Sequence, residues 1–186
     1  IVKKYVFKPY NKIFPELFQK EKERISSNLK EALAIEHVGS TSIPGLGGKG
    51  IIDIAIAVSK ANIDLASKKL QDLGYEYRPT FSTSDRFYFK ISLPDPEEEN
   101  RRYHIHLTNP ENNEWKKLLS FRDYLRLHES AAKEYAEIKK KSAEEVNEDG
   151  ALYRKKKAPF FAKILAKALK HKIYFVIGAS GSGKTT

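Results

Sequence analysis

The sequence contains no cysteine and no methionine in 186 residues, and a single tryptophan. Without cysteine there is no disulfide framework and no thiolate zinc site, which fits a reducing compartment. The missing methionine, at position 1 as elsewhere, leads to the expectation that the natural chain starts upstream. No apolar run approaches the roughly 20 residues that span a bilayer. The N-terminal IVKKYVFKPYNK is too polar for a signal-peptide core, so a cytoplasmic protein with no membrane partner is expected. Acidic residues are also scarce: 24 Asp and Glu stand against 34 Lys and Arg, a net charge of +10. That imbalance favours anionic partners. No nucleic-acid-binding motif accompanies the charge, so nucleic acid is not the expected one. The densest basic runs, 139–141 and 154–157, read as solubilising lysines on exposed helix faces.

What is present fits one globular domain with a core of its own. The composition is 40% hydrophobic and 31% charged, ordinary for a soluble fold. Residues 1–12 read as an extended arm, and Pro15 suits the first turn of a helix over about 15–34. A short strand at 35–38 leads into Gly39-Ser40, and residues 41–50 are too rich in Gly and Pro for a regular element. IIDIAIAV at 51–58 is an apolar run broken only by Asp53, the pattern of a central strand covered on both faces. A helix over 61–73 follows, closed by Gly74. Strands at 75–77, 86–93 and 103–108 come next, with an acidic turn at 95–100 read as a solvated hairpin tip. Three helices at about 112–127, 130–146 and 151–170 and a strand at 172–177 complete the chain. A mixed sheet with a helical tail belongs to the α+β class.

Three groups of residues could carry chemistry. Gly39 permits close backbone approach, Ser40 offers a hydroxyl, and a helical turn through Thr41 and Ser42 would aim N–H groups at an anion. Lys49 could add a point charge to a phosphate, and Asp53 could hold Mg²⁺ together with phosphate oxygens. The same residues also make a Gly-rich turn with a capping Ser and a salt-bridged Asp, and the motif by itself leaves both readings open. His104 and His106 share one strand face, as do Arg86, Tyr88 and Lys90. The histidines could ligate a metal or bind phosphate, or simply hydrogen-bond to neighbours; the basic face beside them suits an anionic ligand.

These residues carry a resemblance. EHVGSTSIPGLGGKGIIDI looks like the signature of the GrpB family, a branch of the nucleotidyltransferase superfamily. The likeness extends through the Arg86-Phe87-Tyr88 strand, the His104/His106 strand and the helix with FRDYLR at 121–126, over about residues 3–170. It implies a nucleotidyltransferase-like mixed sheet with packed helices and a C-terminal helical segment. It further implies that Gly39 and Ser40 hold triphosphate oxygens of ATP or another nucleoside triphosphate, that Asp53 binds a divalent metal such as Mg²⁺, and that a nucleotidyl group passes to an unknown acceptor. Two carboxylates two residues apart are usual in that superfamily; here the second position is Ala55.

A second phosphate-binding motif lies at the C-terminus. IYFVIGASGSG, followed by Lys184-Thr185, fits G-x-x-x-x-G-K-[ST] after an expected strand, so that Gly178, Gly183, Lys184 and Thr185 would cradle phosphates and Mg²⁺. Residues 1–170 are accordingly expected to form the GrpB-like domain, and 171–186 the first strand and P-loop of a truncated kinase. The alternative to a transferase is a non-catalytic accessory module serving that fused kinase.

Overall fold

The computed structural model describes residues 6–145 and 150–182, with side chains as far as residue 170. Helix α1 (Phe14–Asn28) is followed by β1 (Ala34–Val38), β2 (Ile52–Ala57), α2 (Ile63–Asp72), β3 (Glu76–Tyr77), β4 (Phe87–Pro94) and β5 (Asn100–Thr108). Three helices complete the order: α3 (Asn113–Leu127), α4 (Glu129–Glu145) and α5 (Gly150–Ser182). The strands form one sheet in the order β1-β2-β5-β4-β3, with β2 and β5 parallel and every other pair antiparallel. The mixed α+β architecture is the one expected.

Strand alternation sorts the sheet into two unlike faces. Ile52, Ile54 and Ile56 of β2, Ile105 and Leu107 of β5 and Phe89 of β4 point to one side, where they are fully buried against α1 and α2. A polar anchor sits in this layer. Glu21 of α1 is 4% exposed, accepts from the Tyr75 hydroxyl at 2.5 Å and is chelated by Arg24. The opposite face begins as a packed layer, with Val38, Ala55, Ala57 and Trp115 of α3 in one cluster. Beyond β2 it turns polar.

The C-terminal helices pack on each other and on the loop after β1. Ile43 and Leu46 of that loop join Phe121, Leu125, Tyr135, Phe160 and Ile164 in a second core. Asn112 caps α3 by accepting from the Glu114 N–H, as an N-cap Asn does.

One expectation fails here and two hold only in part. Residues 172–177, expected as a strand, continue α5. A lone strand leaves its backbone groups unpaired, whereas a helix pairs them within itself. The turn at 95–100 is the tip of the β4–β5 hairpin, with Pro96, Glu97, Glu99 and Asn100 exposed as expected, but two of its acids are engaged. The Asp95 side chain is covered and accepts from the Arg101 guanidinium at 2.6 Å, while Glu98 pairs with Lys8 of the N-terminal arm. Arg101 in turn donates to the Gly50 carbonyl, and Lys8 bridges Gly48 in antiparallel fashion. The acidic turn and the arm therefore fasten the glycine loop from outside. The third concerns the lysine runs: 140–141 and 154–156 are exposed as expected, but Lys139 is only 5% exposed with its ammonium pointing inward, and Lys157 is half-buried.

Candidate functional site

The polar sheet face is assembled by register. Asp53 pairs with His104 and Ala55 with His106 across β2 and β5, while Lys90 and Tyr88 stand opposite the same two histidines on β4. In-register neighbours share a face, so one acid, two imidazoles and a phenol meet there. A cleft of about 790 Å³ opens over them. Its far wall comes from α4 and α5, through Tyr135, Lys139, Tyr153, Arg154 and Lys157.

Asp53 is the hub. Its Oδ1 lies 3.2 Å from His106 Nε2 and 3.5 Å from His104 Nδ1. Burial opposes its ionisation, but hydrogen bonds and charge from both imidazoles outweigh that and hold the carboxyl far below the usual range. A carboxylate only accepts, so His106 Nε2 carries the proton in its 3.2 Å contact with Asp53. Nδ1 of His106 is then its lone-pair nitrogen, and it is buried with no hydrogen-bond partner. The Tyr88 oxygen sits 2.6 Å from His104 Nδ1 and braces that ring. Burial, then the Asp53 charge, raise the Tyr88 pKa and keep it a hydroxyl.

The Gly39-Ser40 corner closes one end. Gly39 has φ 72° and ψ −175°, a region open essentially to glycine alone. A Cβ there would stand 2.5 Å from Asp53 Oδ2. The turn Ser40–Ser42 is a single 3₁₀ turn. Its hydroxyls divide by role: Ser40 lines the cleft, whereas Thr41 and Ser42 are buried and turned inward. Thr41 Oγ1 donates to the Ile51 carbonyl and contacts His37, and Ser42 Oγ donates to the Gly39 carbonyl. Those two expected binding residues are braces instead. Helix α3 holds the corner from behind, with Arg122 donating to Glu36 and the His37 carbonyl and Arg126 to the Ser42 carbonyl.

Of the other expected site residues, Lys49 lines the cleft and Arg86 lies at its rim, donating to the Phe81 carbonyl and 4.0 Å from Glu114. Gly178 falls inside α5 rather than in a loop, and Gly183, Lys184 and Thr185 lie outside the described residues. Sequence reasoning missed the cations of the far wall. Lys139 and Lys157 had a signal: each stands four residues after a buried tyrosine, Tyr135 and Tyr153, on the stripe that helical spacing turns inward. Lys49 and Lys157 flank the Tyr153 ring at 4.9 and 4.5 Å. Burial, then the Lys157 charge, push the Lys139 ammonium down to about 7 against the pull of Asp53. Burial likewise lowers Lys49 and Lys157 to about 8, with cationic neighbours adding to it.

The donor set does not match a divalent-metal centre. Among the described residues Asp53 is the one carboxylate lining the cleft, against eight Lys and Arg side chains. Both imidazole contacts fall on a single oxygen of it. No group of three His, Asp or Glu among the described residues is arranged to hold a metal ion. Ala55, where a second carboxylate would stand, is fully buried in the cluster with Trp115.

Comparison with known proteins agrees with this architecture. The GrpB protein family model matches residues 4–167, short of the C-terminal phosphate-loop candidate. The YqkA protein of Bacillus subtilis is 36% identical over 136 residues, 72% of this chain and 38% of that protein. The chain thus spans well under half the length of this curated relative. The crystal structure of the conserved protein GrpB from Enterococcus faecalis superposes with a TM-score of 0.78 at 31% identity, covering 90% of this chain and 99% of that one. A more distant likeness, TM-score 0.51 at 10% identity over 78% of this chain and 58% of the other, is to a structure of the GLD-2/RNP-8 complex. At that identity it speaks for a nucleotidyltransferase-like fold and nothing more. Among the described residues no helix is long and apolar enough to cross a membrane.

Proposed function

Starting from the fact that the chain belongs to the GrpB family, we propose that its cleft binds a nucleoside triphosphate such as ATP and passes the nucleotidyl group to an acceptor. The observation that carries this reading is the convergence of the Gly39-Ser40 corner, Asp53 and cations of the sheet, α4 and α5 around one cleft in a nucleotidyltransferase-like fold. Phosphate oxygens would rest against Ser40 and the lysines, where point charges stabilise charge that moves to the leaving group. The acceptor oxygen attacks the α-phosphorus, the bond to the bridging oxygen breaks, and pyrophosphate departs. His104 would take the acceptor proton at Nε2 in the tautomer whose Nδ1–H faces Tyr88 and Asp53, and the Asp53 charge would stabilise the imidazolium.

A second reading, a non-catalytic nucleotide-binding module, is favoured by Ala55, which is packed too tightly to be an incidental vacancy in a carboxylate pair. Calorimetric titration of ATP, GTP, CTP and UTP into the wild type and Lys49→Met tests binding. At least one triphosphate should bind, and the variant should bind it about tenfold more weakly. Failure of all four to bind contradicts both readings. Pyrophosphate release from bound nucleotide supplied with cell extract, lost in His104→Gln, favours the transferase; intact nucleotide favours the module.

A further inference from the structure

The mismatch between the cleft and a metal centre has a counterpart in where its positive charge sits. Lys49 stands in the loop before β2, Arg102 on β5, Lys139 on α4, and Arg154 and Lys157 on α5. Cations from four separate parts of the fold thus face a single Asp among the described residues. Two of the lysines share one ring, with Lys49 and Lys157 4.9 and 4.5 Å from the centre of Tyr153, itself 2% exposed. Lys139 lies over Tyr135 at 5.2 Å and reaches the Gly47 carbonyl at only 3.5 Å. A Cβ on Gly48 would meet its Nζ at 2.6 Å and Ser40 Oγ at 2.7 Å. Glycine at that point leaves room for both the buried ammonium and the corner hydroxyl.

Buried like charges repel one another strongly, and desolvation adds to that. The packing therefore holds the lysines where an anion of several charges relieves both penalties. A magnesium complex of a triphosphate fits this arrangement poorly. The ion takes up phosphate oxygens and cancels two of the negative charges, and it brings a dication among cations with one carboxylate to receive it.

We propose that the cleft takes its polyphosphate as the metal-free anion, with Lys49, Lys139 and Lys157 standing in the role that divalent ions fill in a two-carboxylate site. The inference rests on the reading of the cleft as a polyphosphate site and deepens it. It also assigns α4 and α5 a part in recognition, because the anion would bridge them to the sheet.

The test is titration of inorganic tripolyphosphate, and separately of ATP, into the whole chain in EDTA and in excess Mg²⁺. Affinity in EDTA should equal or exceed that in Mg²⁺, and Lys139→Met and Lys157→Met should each weaken it about tenfold. Lys133→Met, on the exposed side of α4 where Lys133 pairs with Glu129, should leave it unchanged. Binding of ATP or tripolyphosphate only in Mg²⁺ overturns this inference and leaves the nucleotide reading standing. No binding of either anion in either buffer overturns both. The wild-type comparison needs no variant to fold.

Discussion

Gly39 and Asp53 constrain each other. The strand places Asp53 where its Oδ2 fills the space that any side chain at 39 would need, and the backbone at 39 adopts an angle pair reserved for glycine. Gly39→Ala should therefore lower stability by about 1–3 kcal/mol for the backbone alone, and more if Asp53 is driven off its histidines. Urea denaturation reads the first effect; an unchanged midpoint would contradict the geometry. Both residues were legible in the sequence, Gly39 as a loop glycine and Asp53 as a carboxylate inside an apolar strand. Thr41 and Ser42 were not correctly legible. A hydroxyl beside a phosphate-type loop reads the same whether it faces the cleft or turns inward to an unpaired carbonyl, and only the turn's closure on Ile51 and Gly39 decides.

At the scale of elements, α3 is the fixture of the site though it lends the cleft no lining residue. Arg122 is 9% exposed and ties the helix to Glu36 at 2.6 Å and to the His37 carbonyl at 3.1 Å. Arg122→Met should cost about 1–3 kcal/mol, the range for losing charge-assisted bonds, and loosen the Gly39-Ser40 corner. Denaturation and nucleotide titration should both register it, and weaker binding with full stability would place the arginine in the site instead. The FRDYLR helix was recognisable in the sequence, but its job was not, because a contact across 85 residues leaves no local pattern. The same limit hid Lys139 and Lys157. A basic run looks solvated until the burial of Tyr135 and Tyr153 shows which member of the run turns inward. At 172–177 an apolar, β-branched stretch imitates a strand, but a strand depends on partners that the local sequence does not provide, and α5 continues there.

For the molecule as a whole, the cluster predicts an unusual pH response. Lys139 has a folded pKa of about 7, and Lys49 and Lys157 of about 8, each below the ordinary value of 10.5. Between those limits the unfolded chain binds more protons than the native one, so stability rises with pH. In the free protein it should climb from about pH 7.5 to 9.5. Above that, tyrosines whose folded pKa is raised by burial, Tyr88 and Tyr103 among them, work in the opposite sense. Saturating tripolyphosphate should flatten the climb by returning the lysines to their charged forms. Denaturation midpoints across that range check it, and a flat or falling profile without anion would contradict the burial of the cluster.

The central claim is that a nucleotide's phosphates sit in the cleft, against Ser40 and the lysines and beside His104 and His106. The chain has five histidines, of which His104 and His106 line the cleft while His128 caps the far end of α3. The most direct measurement follows the imidazole proton signals by NMR as ATP is added. The His104 and His106 signals should move together and saturably while His128 stays still. Saturable ATP binding that leaves both cleft histidines unmoved would place the nucleotide elsewhere and contradict it.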